Sequence, residues 1–419
     1  MLLGFSVPQS ISGETNSLLY AWLQYGVTGL EVRAIIPNGG SCPHVLVNND
    51  SIAMTQRATV SRRFPVVTCE VALRDSASSI QIATTRLKAP KTSPKRILVL
   101  GDTGCRVTSG WYQNCIGDGN GPPWAFPELA KAAFAEQPDL IIHLGDYIYR
   151  EAACAVTTEP GCAGSPWGDQ WSTWDADVFS PTSDLLNLAP WLFVRGNHED
   201  CSRNFRGWSR FLDPRPFESV ESNCRAFSAP YKVHLENLDI LVLNTATEST
   251  VSNPTASVQK RYTLDFSQAA AAIEPGRRTW LVTHRPLWGV APHWKNPLRL
   301  EVTDTLLQAA LADTPSGAWP QEVELIMSGH VHLLESLRFP DERPMQLISG
   351  AGGTMGDHPV SAEAIVANPH VFSTLSMSPE SFQSHPGSGY LLLSADLDGN
   401  WTATFKDMKG TKLLEVPIR

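Results

Sequence analysis

From Arg96 onward the chain repeats one pattern: a short apolar run that stops abruptly at a polar cluster. The runs read "RILVLGDTG", "LIIHLGDYIY", "WLFVRGNHED", "DILVLNT", "TWLVTHRP", "VELIMSGHVH" and "MQLISGAGG". Leucine-rich and β-branched runs of this length suit central strands covered on both faces. Helical stretches such as "WAFPELAKAAFAEQ" and "VTDTLLQAALAD" lie between some of them. The pattern predicts an α/β domain whose polar clusters sit where strands end, the place where open α/β sheets bind ligands. The closing stretch "GYLLLSADLDGNWTATFKDMKGTKLLEVPI" alternates around a DGN and a KGT turn, and reads as antiparallel strands completing a sheet.

Residues 1–92 follow a different rhythm. Alternating segments such as "LEVRAII" and "VTCEVAL", separated by the turn clusters "PNGG" and "NNDS", predict short β-strands. The Pro/Lys/Ser-rich stretch "LKAPKTSPKR", Leu87 to Arg96, reads as a linker. The expected division is therefore a small N-terminal all-β domain over 1–92 and a catalytic domain over 93–419. The Glu151–Pro190 region carries Trp167, Trp171 and Trp174 among small polar residues. It reads either as a wall or lid beside the polar clusters or as a loop that its rings pack down.

Composition removes several classes. A formal net charge of −9 over 419 residues, with no basic run, argues against a nucleic-acid surface. No apolar run approaches the roughly 20 residues of a membrane-spanning helix. The opening "MLLGFSV" has neither the charged nor the long apolar region of an intact secretory signal. Eight cysteines lie at or before Cys224 with no CxxC spacing. Pairing neighbours, 42–69, 105–115, 154–162 and 201–224, closes four short loops. Disulfides are favoured over buried thiols, which points to a secreted or periplasmic protein whose signal has been removed. Nothing in the pattern sets an oligomeric state.

The residues ending the strands are Asp102, Asp146, Asn197 with His198, His284, His330 and His332. Each alone has an ordinary reading, an aspartate as a helix cap and a histidine as a satisfied core residue. Together they supply enough oxygen and nitrogen donors for two metal ions, provided one aspartate bridges them. The glycine-rich "SGAGGT" has no helix pattern after it, and "DLDGN" lacks the acidic ligands of a calcium loop. His143, inside its strand, reads as a packing residue.

The ordered motifs "GDTG", "GDYIY", "GNHE", "VTH" followed by "RP", and "GHVH" resemble those of the calcineurin-like metallophosphoesterases, and specifically their purple acid phosphatase branch. The resemblance runs from about Arg96 to the C-terminus. Many metallophosphoesterases carry Asp-x-His in the first motif; here Gly104 stands in that place, and Tyr149 of Gly-Asp-x-x-Tyr fills the vacancy, as in purple acid phosphatases. The resemblance implies a metallophosphoesterase β-sandwich flanked by helices in four layers, preceded by a small β domain, fibronectin-like or similar. It implies one metal, Fe(III), held by Asp102, Asp146, Tyr149 and His332. A second metal, Zn(II), Mn(II) or Fe(II), would be held by Asp146, Asn197, His284 and His330. The implied reaction is hydrolysis of a small phosphate monoester by a hydroxide on the metals, with no protein nucleophile. A phosphodiesterase on the same centre is the main alternative, and a catalytically silent binding protein the remote one. His198 and His293 would lie in the substrate pocket, with Arg150, Arg203, Arg206 and Arg285 as candidates to grip phosphate oxygens.

Overall fold

The runs Arg96–Leu100, Leu140–His143 and Trp191–Phe193 lie side by side and parallel. All their residues except Arg96 are buried, as strands covered on both faces must be. In this computed structural model, which describes residues 18–73, 77–155, 160–218, 223–248 and 255–418, they form the middle of a ten-stranded sheet. The opening "MLLGFSV" lies outside the described residues. Gly389–Ala395 pairs antiparallel with Arg96–Leu100, and Trp401–Asp407 and Lys412–Pro417 follow as the expected C-terminal meander. The DGN turn joins the first two of these, with Asp396 accepting hydrogen bonds from the N–H groups of Asp398 and Asn400.

A second, seven-stranded sheet holds Asp239–Val242, Thr279–Val282, Val323–Ser328 and Met345–Ser349 as parallel neighbours. The two sheets meet through alternate side chains. Ile97, Val99, Ile142 and Leu192 pack inward against Ile240, Val242, Trp280, Val282, Leu325 and Met327. Their neighbours Leu98, Leu100 and Ile141 point outward to the helix Phe126–Ala135. On the far side Leu241, Leu281 and Ile326 meet residues of the helices Thr255–Ala271 and Thr305–Ala312. The period of two thus generates helix, sheet, sheet, helix, the four layers that the resemblance implies.

The N-terminal strands fall in two places. His44–Val47, Asp50–Ala53, Ile80–Ile82 and Thr85–Leu87 make a four-stranded sheet, packed over Val32, Ala34 and Ile36 in a core of its own. Tyr20–Gly26, Gly29–Pro37, Val66–Ala72 and Thr55–Ala58 instead extend the ten-stranded sheet. The join is a parallel pairing of Gln24 with Trp191, beside the strand that leads into "GNHE". All four disulfides connect the neighbouring cysteines, 42–69, 105–115, 154–162 and 201–224. In the tryptophan-rich region Trp171 and Trp174 pack with Phe179 and Phe211, whereas Trp167 stays exposed.

A buried charge cluster locks the N-terminal strands to the segment after "GNHE". Arg33 donates to the Phe211 carbonyl (2.9 Å), and Arg57 donates to the carbonyls of Ser209 (2.8 Å), Arg210 (3.1 Å) and Arg215 (2.7 Å). Glu31 and Glu70 neutralise the pair, at 2.6 Å from Arg33 and 2.7 Å from Arg57. Removing one guanidinium strands the carbonyls and a carboxylate together. Arg57→Met is expected to lower the unfolding free energy by about 2–4 kcal/mol in urea titrations. A loss of under about 0.5 kcal/mol, the scale of an inert surface change, would contradict the clamp.

Candidate metal centre

The loops that leave the parallel strands turn sharply. Asp102, Asp146 and His330 have φ of 57°, 58° and 71°, the left-handed region, and each directly follows a glycine. Such backbone costs on the order of 1–3 kcal/mol per residue and persists only where its surroundings dictate it. Here the loops hold one another. Asp102 N–H donates to the Gly145 carbonyl (3.0 Å), Thr103 N–H to Asp146 (3.1 Å), and Gly329 N–H to His284 (2.9 Å). Across the sheets, His330 N–H donates to Asp102 Oδ2 (2.9 Å) and Gly352 N–H to the Gly101 carbonyl (2.9 Å), which stitches the two sheets together where their motifs meet.

Close approach requires glycine at two of these positions. A Cβ on Gly196 would lie 2.1 Å from both the Asp146 nitrogen and its Oδ1. A Cβ on Gly104 would lie 2.5 Å from the Tyr147 carbonyl and 2.8 Å from the Tyr149 nitrogen. Position 104 thus lacks room for a histidine or any other side chain. The space is taken by the segment that delivers Tyr149.

The result is a convergence of lone pairs. The Tyr149 phenol oxygen lies 2.8 Å from Asp146 Oδ2, 2.9 Å from Asp102 Oδ1 and 2.9 Å from His332 Nε2. His332 Nδ1 faces the Met355 carbonyl at 3.0 Å, so Nδ1 carries the proton of the neutral ring and Nε2 presents a lone pair. One hydroxyl has one proton, yet three acceptors surround it. Burial first, then the Asp102 and Asp146 carboxylates, hold the phenol well above its ordinary pKa in the absence of a cation.

A second group adjoins it. His284 Nδ1 faces the Leu144 carbonyl (2.8 Å), which leaves the Nε2 lone pair aimed at Asn197 Oδ1 (2.7 Å) and Asp146 Oδ2 (3.3 Å). His330 Nδ1 reaches the same amide oxygen at 3.0 Å. Acceptors facing acceptors require a cation or an added proton. Burial lowers the His284 pKa, but Asp146 more than reverses this and the net value is raised to about 9. The donor chemistry of both groups fits metal ions: a phenol, carboxylates and an imidazole in one, an amide and two imidazoles in the other, with Asp146 Oδ2 between them.

Glu199, the last residue of "GNHE", and Glu151, which no motif marks, are given their roles by the fold. Glu199, fully buried, accepts from the N–H groups of Asp146 (3.0 Å), Tyr147 (2.9 Å), Ile148 (3.3 Å) and Gly196 (3.2 Å), binding two motif loops into one unit. Burial pushes its carboxyl up to about 8, while the N–H donors favour the anion. Glu151 lies 2.8 Å from His198 Nδ1, and Arg203 approaches it at 3.8 Å. Burial acts to raise the Glu151 pKa, but His198 and Arg203 bring it below its ordinary value.

His198 stands over the Tyr149 ring with 4.0 Å between centroids, its Nε2 3.9 Å from Asp146 Oδ2. His293 lies in the hairpin Val290–His293 and Asn296–Val302, where its Nδ1 accepts from Lys295 N–H and its ring stacks on Trp294. Arg150 is buried in a pair with Asp177 (2.5 Å), and Arg285 pairs with the buried Asp304. Arg206 lies in the helix Phe205–Phe211 with its backbone N–H on Asp169. His143 is the packing residue that its position implies. It stacks on Tyr147 at 4.1 Å, its Nδ1 accepts from Gly145 N–H, and burial drives its pKa down to about 3.

No curated protein matches the chain in sequence. Among solved structures, a purple acid phosphatase from seeds of yellow lupin (Lupinus luteus) superposes with a TM-score of 0.60 at 13% identity, covering 96% of this chain and 74% of that one. At that identity the likeness is one of fold. GAP50, the anchor in the inner membrane complex of Plasmodium, aligns with a TM-score of 0.44 at 14% identity, over 78% of this chain and 89% of that one. A family model described as calcineurin-like phosphoesterase matches residues 95–334. That match spans more than half the chain and takes in all five motifs, so the protein belongs to the calcineurin-like phosphoesterases.

Proposed function

We propose that the protein is a binuclear metal-dependent phosphomonoesterase of purple acid phosphatase type. The observation that carries the reading is the place of Asp146 Oδ2, 2.8 Å from the Tyr149 phenol oxygen and 3.3 Å from His284 Nε2. One carboxylate oxygen adjoins both donor groups, as a bridging ligand must. Asp102, Asp146, Tyr149 and His332 would hold one ion, for which Fe(III) suits the phenolate and carboxylates. Asp146, Asn197, His284 and His330 would hold the other, Zn(II), Mn(II) or Fe(II). A bound pair supplies positive charge for a phosphoryl group and lowers the pKa of water.

The rest falls to the chain's own side chains. Glu151 stands 2.8 Å from His198 Nδ1 as an ion-pair partner, and Nε2, 3.9 Å from Asp146 Oδ2, can hold a proton for the departing alkoxide. A general acid so placed contributes typically about 10²–10⁴ in rate. The fold likeness to an acid phosphatase supports the monoester reading over the diester one. Four disulfides support a secreted or periplasmic location. Among the described residues no helix is long and apolar enough to cross a membrane.

Asp146→Asn and His284→Ala are each expected to abolish hydrolysis of an aryl phosphate monoester by the metal-loaded protein; normal turnover in either would refute the site. Wild type is expected to hydrolyse the aryl monoester faster than the matching diester, and the opposite ranking would replace the monoesterase with a diesterase. Gly104→Ala forces the first loop off the Tyr149 segment, an overpacking of about 1–3 kcal/mol. It is expected to reduce bound metal as measured by elemental analysis. Full metal content with unchanged stability would contradict the close packing at that position.

A further inference from the structure

Arg106 is a half-buried arginine that no motif marks. Its guanidinium carbon lies 4.6 Å from the centroid of the Tyr149 ring. Among the described residues its side chain makes no hydrogen bond or ion pair, and its Nε is buried without a partner. The other arginines near the motifs differ: Arg150 is bound to Asp177, Arg285 to Asp304, and Arg203 approaches Glu151. An unpaired guanidinium whose Nε is removed from water is costly unless an anion completes it.

The chain spends several contacts to keep Arg106 there. Cys105, its neighbour, is bridged to Cys115. Arg106 N–H donates to Gln113 Oε1 (3.0 Å), and Gln113 N–H donates back to the Arg106 carbonyl (2.8 Å). Gln113 Nε2 in turn donates to the carbonyls of Pro123 and Gly353, both at 3.0 Å. Val107 N–H donates to the Tyr149 carbonyl at 3.0 Å, which fixes this loop against the Tyr149 segment. The backbone under the side chain is therefore held on several sides while the charged end is left free.

We propose that Arg106 is a phosphate-binding residue of this site, its guanidinium taking the non-esterified oxygens of a phosphoryl group held beside Tyr149. This rests on the phosphoesterase reading above. The planar fork suits two phosphate oxygens at once, and the face of the phenol ring orients it without consuming its N–H donors. Asp102 and Asp146 are committed to the donor groups around Tyr149, so the charge of Arg106 remains available to a ligand.

The test is calorimetric titration of inorganic phosphate into metal-loaded wild type, Arg106→Gln and Arg106→Lys, with metal content measured on each sample. Arg106→Gln is expected to keep both metals, to bind phosphate about 10- to 100-fold more weakly and to raise KM for an aryl monoester. Arg106→Lys is expected to recover part of that loss, as a charge without the fork. Phosphate binding by Arg106→Gln as tight as wild type overturns the proposal and leaves the metal centre standing. Loss of metal from Arg106→Gln also overturns it, by making Arg106 a support of the ligands. A metal-loaded wild type that neither binds phosphate nor hydrolyses the ester overturns the functional reading itself.

Discussion

The carboxylate of Asp146 is the constraint around which the site is organised. It is buried, in left-handed backbone, and crowded by a phenol oxygen and an imidazole lone pair. Its other oxygen accepts the His198 N–H at 2.8 Å, so even the loop that carries Asn197 is hung on it. Burying such a group among acceptors is unfavourable for the bare chain. The surroundings answer with geometry: Glu199 gathers four N–H donors beneath the loops, and Gly196 lets two backbones pass where a Cβ would collide. The packed double sheet makes that geometry stiff, since the motif strands from both sheets interdigitate through one core.

The disulfides act on the same loops. Cys105 follows Asp102 by three residues, Cys154 follows Glu151 by three, and Cys201 follows His198 by three. Each closes a short loop, to Cys115, Cys162 and Cys224. Cross-links of this kind remove freedom from the unfolded chain and restrain the segments that follow the motif residues. The catalytic loops of the first sheet are thus stapled one by one, which ties the integrity of the site to an oxidising environment. The Arg33 and Arg57 clamp adds a fourth restraint from the N-terminal strands, through the segment that follows His198.

The strands and the donor residues were legible because both follow local rules: apolar runs of one length, each ended by a polar cluster that a strand end must expose. Neighbouring cysteines were pairable for the same reason. Glu151 and Arg106 were not legible, nor was the role of Glu199 within "GNHE", because what defines each is a partner reached only through the fold: the ring of His198, the face of Tyr149, backbone N–H groups of another loop. The arginines near motifs depend on the fold in the same way. Arg150 and Arg285 look free in sequence, yet their charges are spent on Asp177 and Asp304, 27 and 19 positions further on. The pairing of Gln24 with Trp191, which joins the N-terminal strands to the ten-stranded sheet, is likewise a contact with no local signature.

The proposed binuclear centre needs Tyr149 as a metal-bound phenolate, in the place that Gly104 leaves without a histidine. The most direct test is the visible absorption spectrum of the iron-loaded protein beside that of Tyr149→Phe, with iron content fixed in both. A phenolate-to-iron charge-transfer band is expected in the wild type and is expected to be bleached in the variant. A band of equal strength in Tyr149→Phe would contradict it and return Tyr149 to the role of a packing aromatic.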